Sequence, residues 1–291
     1  MRWDPESAGA AVSRYLKFVR IEHTLFTLPT VYAAALEASG GYITARQAVL
    51  LALALVGLRV AGMSWNNIAD RDIDALNPRT KGRMLVTGAV SLRGAYAVFA
   101  IGAALFAASA ALLGPWPLYL AGPYLAVTVA YPYAKRWHCL PHLHLGAVYA
   151  LVPLGAAIAM HSDDIALALA RTPWLLVLAL ALWVAGFDTF YSKMDLEFDR
   201  ATGLGSIPAC YGDGAAKAAW TAMLWASAAL FLANYALIGG GPLGLAPTIA
   251  AAAIEAWSAI AAYKDEAIPR AFNANLVVGL LASIGVILNY L

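Results

Sequence analysis

Residues 94–113, GAYAVFAIGAALFAASAALL, run twenty positions without a charged side chain. As a helix rising 1.5 Å per residue, such a stretch covers about 30 Å, the thickness of the hydrocarbon core of a bilayer. A second clear stretch lies at about residues 215–238. Working outward from these two, spans of about 20 mostly apolar residues number nine. They fall at roughly 18–38, 47–66, 90–113, 116–134, 143–161, 172–191, 215–238, 243–262 and 268–290. The first two are interrupted by Glu22, His23, Pro29 and Arg59 and count because their surroundings are apolar.

Composition agrees. Of 291 residues, 62% are hydrophobic and 12% charged, against about 45–50% apolar in ordinary globular proteins; mean hydropathy is +0.69. A soluble chain of this size has no interior large enough for that apolar surface, so lipid solvates part of it. A net charge of +2 gives no footprint for nucleic acid. Cys139 and Cys210 set neither a disulfide framework nor a metal-ligand spacing. The opening MRWDPESAGAAVSRYLK lacks an apolar h-region, so no cleaved signal peptide is expected. The expectation is an all-α, multi-pass protein of the cell membrane, one membrane domain over residues 1–291.

Nine spans sort the 19 basic residues sharply: sixteen share a side with the amino terminus, only Arg46 and Arg171 lie opposite, and Arg59 is within a span. The positive-inside rule places the amino terminus and the 2–3, 4–5, 6–7 and 8–9 loops in the cytoplasm. Two of those loops, about residues 67–89 and 192–214, are long and charged. Binding and catalytic groups concentrate on such loops.

Seven of the 17 acids fall in two short windows, Asn66-Asn67-Ile68-Ala69-Asp70-Arg71-Asp72-Ile73-Asp74 and Asp188-Thr189-Phe190-Tyr191-Ser192-Lys193-Met194-Asp195-Leu196-Glu197-Phe198-Asp199. On a helix, i and i+4 share a face, so Asn66, Asp70 and Asp74 form one stripe. Tyr191, Asp195 and Asp199 form another, with Asp188 one turn above Tyr191. Asp72 and Glu197 point elsewhere, toward solvent. Solvated helix ends are the plainer reading of one such window. Two windows at matched depth, on the same side, favour a metal site. Facing carboxylates repel unless cations lie between them, and hard oxygens suit Mg2+ completed by water and phosphate. Two Mg2+ ions bridged by a diphosphate satisfy both clusters.

Arg59 lies two turns below Asn66 on the same face. A charge inside a span is a functional group by default, with an anionic substrate or Asp70 as the expected partner. Lys135 follows Tyr131 by four residues and sits beside Arg136; the pair reads equally as a phosphate site or as a positive-inside anchor. His23 reads as packing, and a pairing of Arg20 with Glu22 reads equally as structural or functional. His138, His142 and His144 flank Cys139, but with no second thiolate nearby no zinc site is assigned.

Together these motifs resemble the UbiA-type membrane prenyltransferases, the 4-hydroxybenzoate polyprenyltransferase family. The resemblance rests on Arg59, Asn66, Asp70 and Asp74, Asn77-Pro78-Arg79-Thr80, Tyr131-Pro132 with Lys135-Arg136, Asp188-Thr189, Asp195 with Asp199, and Gly205-Ser206-Ile207-Pro208. It implies nine helices around a central cavity, a cytoplasmic cap from loops 2–3 and 6–7, and two Mg2+ holding an isoprenoid diphosphate. Asn66, Asp70, Asp74, Asp195 and Asp199 would be the metal set, and Tyr131, Lys135 and Arg136 would lie near the diphosphate. Glu22-His23-Thr24-Leu25-Phe26 looks like the branch that prenylates quinone precursors. Asn67 stands where many members carry aspartate, Met84 where proline is common, and Leu204-Gly205 where a glycine-lysine pair is frequent.

The implied reaction joins a prenyl group to an aromatic acceptor such as 4-hydroxybenzoate by a C–C bond. Arg59 would hold the acceptor's carboxylate, and Tyr131, Tyr191 or Phe190 would face the allyl cation. Naphthoate, glycerol phosphate lipid, haem and chlorophyllide are alternative acceptors. An ion-coupled transporter is the alternative from another class.

Overall fold

The computed structural model describes residues 5–291, without the side chains of residues 5–8, 11, 22, 23, 25 and 26. The readings of Glu22 and His23, and the Glu22–Phe26 signature apart from Thr24, therefore lie outside the described residues. Everything regular in the described residues is helical. The order is α1 (Pro5–Phe18), α2 (Glu22–Ser39), α3 (Ala45–Ala69), α4 (Arg71–Leu76), α5 (Leu92–Leu113), α6 (Pro115–Ala130), α7 (Ala134–Trp137) and α8 (Pro141–Met160). Then come α9 (Ile165–Ala170), α10 (Trp174–Tyr191), α11 (Leu196–Thr202), α12 (Ile207–Leu237), α13 (Pro242–Ala261), α14 (Ile268–Asn275) and α15 (Val278–Leu288).

Seven helical segments among the described residues, from Ala45–Ala69 to Asp265–Leu288, are long and apolar enough to cross a membrane. The other two expected spans coincide with α2 and α6, which have 18 and 16 residues. Local signals set the ends. Thr44 and Gln47 form a reciprocal capping box at the start of α3. Ser91 and Ser206 cap α5 and α12 through their side chains. Gly40 ends α2 in the left-handed conformation that closes a helix without a Cβ penalty.

Long helices that follow one another in sequence pack side by side, and α15 returns to α2, so the bundle closes into a ring; α2 also touches α8. Lipid tails are as apolar as leucine, so close approach of backbones and polar bridges supply much of the helix association. At the α3–α5 crossing, a Cβ on Gly57 would lie 2.5 Å from the Phe106 nitrogen, and one on Gly102 would lie 2.6 Å from the Ala61 nitrogen. Thr30 and Ser283 hydroxyls link α2 to α15 at 2.9 Å, and Asn234 on α12 donates to Glu37 at 2.9 Å.

The cysteines depart from expectation: Cys139, between α7 and α8, is bonded to Cys210 in the first turn of α12, with Cα atoms 6.0 Å apart. They are 71 residues apart in sequence, and only the approach of the 203–206 segment to the end of α7 brings them together. Closing a loop of that length removes up to about 4 kcal/mol of chain entropy in water, and less where a bilayer already restrains both ends. Replacing either cysteine with serine should therefore lower the thermal midpoint in detergent, and the double variant should fall no further. An additive second loss, or no loss, would show the bond to be unimportant to the fold.

Candidate active site

At one end of the ring both acidic windows sit on interrupted helices. Asp70 (φ −95°, ψ 1°) separates α3 from α4. Asp195 (φ −108°, ψ 4°) separates a 3-10 turn over Ser192–Asp195 from α11. Both occupy the sparsely populated bridge region where many active-site residues sit. The expected stripe survives the first break, because the Asp70 N–H donates to the Asn66 carbonyl at 3.0 Å and the Asp74 N–H to the Asp70 carbonyl at 2.8 Å. Asp70, Asp74 and Asp199 are buried, while Asp72 and Glu197 face solvent as expected.

The carboxylates do converge, but the protein supplies their counter-charges itself. Lys135 Nζ lies 2.7 Å from Asp70 Oδ2, and Arg136 Nη2 is 3.1 Å from Oδ1. Arg83 holds Asp74 at 2.6 Å. Arg79 grips Asp195 with two nitrogens, its Nε at 2.7 Å, and Asn77 donates to the same carboxylate at 2.8 Å. Burial pushes the Asp199 carboxyl up to about 6, against the pull of the nearby Ser206 side chain. Burial pushes the Asp74 carboxyl above the usual carboxylate range, against the pull of Arg83. The expectation that only divalent ions make these acids compatible is thus corrected: two arginines, a lysine and a third arginine share the task. Among the described residues, no three acids, histidines or cysteines form a ready-made metal cage.

Below this charged layer is a cavity of about 310 Å³, at the small end of the ~300–1,000 Å³ typical of ligand pockets. Asn66, Tyr131, Asp188 and Tyr191 line its upper part; Arg59 and Tyr149 line one wall. Trp183, Phe187, Phe272 and Tyr191 form another wall of rings in sequence, with centroids 5.3, 5.7 and 4.1 Å apart. Arg79 stands 5.3 Å from the Tyr191 ring centroid, joining the ring series to the charged layer. A neighbouring cavity of about 480 Å³ carries Lys17, Arg20, Arg79 and Arg83 and shares Arg20, Met63, Asn66 and Arg83 with the first.

Two expected contacts are corrected. Arg59 does not pair with Asp70: its Nη1 donates to the Tyr149 hydroxyl at 2.9 Å, and its buried Nε has no hydrogen-bond partner. Phe190 does not face the cavity; it is fully buried edge-to-face against Trp220. The wall contains Phe187 in its place. Sequence reading also passed over Tyr149, Trp183, Phe272 and the contact of His142 with Asp188 at 2.7 Å.

Relatives agree with this geometry. The profile of the UbiA prenyltransferase family matches residues 27–281. The chain belongs to the UbiA prenyltransferase family. A 4-hydroxybenzoate octaprenyltransferase of Azotobacter vinelandii is 30% identical over 283 residues, covering 95% of this chain and 93% of that one. One from Pseudomonas putida is 31% identical over 256 residues, covering 87% and 84%. The apo structure of a UbiA homolog from Aeropyrum pernix K1 has a TM-score of 0.88 at 48% identity, covering 93% of this chain and 99% of that one. A UbiA homolog from Archaeoglobus fulgidus solved with GPP and Mg2+ shares the fold, at TM-score 0.64, 19% identity and coverage of 94% and 99%. Membership in this family decides against an ion-coupled transporter, and with the apolar helices it makes the chain an integral membrane protein.

Within this member of the family, the segment after α11 is fastened to the Lys135 element. The Gly205 N–H donates to the Lys135 carbonyl at 2.6 Å, and a Cβ at Gly205 would lie 2.8 Å from the His138 carbonyl carbon. That obstacle is backbone, so neither side can yield cheaply. Gly205→Ala should therefore separate the segment from Lys135, lower the thermal midpoint and reduce turnover at least 10-fold in the protein that remains folded. Unchanged turnover would mean that the close approach has no bearing on the site.

Proposed function

We propose that this protein transfers a prenyl group from an isoprenoid diphosphate to an aromatic acceptor of the 4-hydroxybenzoate type, forming a C–C bond on the ring. The observation that carries the reading is the cluster of Asp70, Asp74 and Asp195, each matched by Lys135, Arg136, Arg83 or Arg79, at the mouth of an apolar cavity. In this reading Asn66, Asp70, Asp74, Asp195 and Asp199 are the ligands of two Mg2+ ions and the catalytic set. All are hard oxygen donors, which suits that metal. With a magnesium diphosphate bound, Asp70, Asp74 and Asp195 would hold metal in place of their ammonium or guanidinium partners, leaving Lys135, Arg136, Arg79 and Arg83 for phosphate oxygen. No charge is stranded in the exchange, which buried ions require.

Bound metal supplies Lewis-acid neutralisation of the departing diphosphate. The chain's own residues do the rest. Lys135, Arg136, Arg79 and Arg83 take up charge as the allylic C–O bond breaks. Tyr131 lines the cavity wall beneath them. The faces of Tyr191, Phe272 and Phe187 stand where an allylic cation forms, and ring faces attract cations. The apolar wall keeps water from quenching that cation. Arg59 is a half-buried cation on a neutral partner with an unpaired Nε, and an acceptor's carboxylate supplies the anion it lacks. This favours a hydroxybenzoate over haem, chlorophyllide or a glycerol phosphate lipid; a naphthoate-type ring shares the carboxylate and is the second reading. The whole chain is read as one nine-span membrane domain, with loops 67–89 and 192–214 capping a cytoplasmic site and the amino terminus on that side.

Asp70→Ala and Asp195→Ala should each cut Mg2+-dependent turnover by about 100-fold or more, ~3 kcal/mol of barrier. Near-normal turnover by either contradicts the assignment. Arg59→Ala should raise the acceptor KM strongly while the KM for prenyl diphosphate stays within twofold. An unchanged acceptor KM would make Arg59 a structural residue.

A further inference from the structure

We propose that His142 is a positioning residue that aims the carboxylate of Asp188 at the hydroxyl group of the acceptor. His142 stands in the first turn of α8 and is 2% exposed. Its Nδ1 is 2.7 Å from Asp188 Oδ2, and the backbone N–H of Ile207 donates to its Nε2 at 3.3 Å. An amide N–H only donates, so Nε2 carries no proton. The ring is therefore the neutral tautomer whose Nδ1–H donates to Asp188. Turning the ring would strip a buried nitrogen, and the buried Ile207 N–H, of its partner, a costly loss. The imidazole is locked from both sides.

Asp188 differs from the acids above it. Asp70, Asp74 and Asp195 each hold a lysine or arginine; among the described residues Asp188 has no lysine or arginine partner, and His142 bonds one of its oxygens. The Asp188 side chain is 22% exposed and lines the central cavity. Its other oxygen is thus an acceptor facing a substrate rather than a ligand already matched by charge. On the same cavity, Arg59 offers an unpaired guanidinium nitrogen. A donor-only group and an acceptor-only group in one apolar pocket select a ring that carries an anion and a hydroxyl. A hydroxyarenecarboxylate satisfies both, whereas an O-methylated analogue leaves the Asp188 oxygen buried and unpaired. This step rests on the acceptor reading above and narrows it to acceptors with a free hydroxyl.

The lock also ties the acceptor to the diphosphate side. Ile207 opens α12 just after Gly205, whose N–H is held by Lys135, and the Cys139–Cys210 bond brackets the same corner. A shift of the 203–206 segment therefore reaches Asp188 through the imidazole.

A double-mutant cycle in the full-length protein tests this, with 4-hydroxybenzoate and 4-methoxybenzoate as acceptors. His142→Leu should lower kcat/KM for 4-hydroxybenzoate 10–100-fold, the usual range for an orienting partner, with the KM for prenyl diphosphate unchanged. His142→Asn, which keeps a donor toward Asp188, should recover most of that loss. In an Asp188→Asn background, His142→Leu should cost nothing further. Turnover of 4-methoxybenzoate, slow in the wild type, should not fall again in any of the variants. Additive losses, equal losses with both acceptors, or no rescue by asparagine would each overturn the proposal. Should the leucine variant fail to fold, 15N-histidine spectra of the wild type decide: a histidine with Nδ1 protonated and Nε2 bare, perturbed by Asp188→Asn, supports it, and a protonated Nε2 refutes it. Wild-type protein that does not prenylate 4-hydroxybenzoate would instead sink the acceptor reading itself, an outcome distinct from a silent His142 in an active enzyme.

Discussion

Charge neutrality at the cavity mouth is the constraint on which the rest of the structure depends. Four carboxylates taken largely out of water at one end of a helical ring are tolerable only in company. Here the company is Lys135 and Arg136 on Asp70, Arg83 on Asp74, and Arg79 on Asp195. These contacts span the α3–α4 corner, the loop after α4, α7 and the α10–α11 corner, so the ion pairs also tie these elements together at the cavity mouth. A magnesium diphosphate brings both signs of charge and so can replace every internal pair without leaving a remainder. The same residues that close the fold in its absence are thereby the ones that receive it, and affinity rests on the difference between two well-paired states rather than on filling an empty site.

The backbone repeats a device at the two places where this happens. A long membrane helix stops, one aspartate takes a bridge-region conformation, and a short helix resumes with a second aspartate one turn on. A straight helix would carry the second acid outward along its axis into water. Here Asp74 and Asp199 stay buried. Sparse conformations of this kind persist where the surroundings over-determine them, and here the salt bridges to Asp70 and Asp195 do so.

Much of this was legible in the sequence because it is local. Apolar runs of bilayer length and the D-x-x-x-D spacing depend on residues within a few turns of one another, and Arg59 stands out because charge inside a span is rare. Helical phase also separates Phe187 from Phe190: Phe187 lies one turn from Tyr191 and one from Trp183, on their side of the helix, while Phe190 is rotated about 100° from Tyr191 into the core. Three features were not legible. The Cys139–Cys210 bond joins segments 71 residues apart, the His142–Asp188 contact joins residues 46 apart, and the ring wall needs Phe272 from α14 against α10. Each depends on how helices distant in sequence are juxtaposed, which no pattern along the chain encodes. Arg79 and Arg83 were visible as loop cations, but their pairing with Asp195 and Asp74 was not.

The two ends of the cavity impose opposite demands on one lining. The charged layer works best with strongly polarised groups and fixed counter-ions, whereas a cation forming below it needs a dry, weakly polar wall. The chain separates the two by depth. From Asp195 the sequence of contacts runs through Arg79 to the face of Tyr191, then to Phe272, Phe187 and Trp183. Polarity falls along that path while aromatic surface persists. Trp183 is itself fixed, with its indole N–H on Asn275 at 3.1 Å and Asn275 held by Ser258 and the Ala271 carbonyl, each at 2.8 Å. A rigid lower wall lets the apolar part of a substrate be placed by shape, so that the salt-bridged upper layer can exchange its partners without disturbing where the reacting carbon lies.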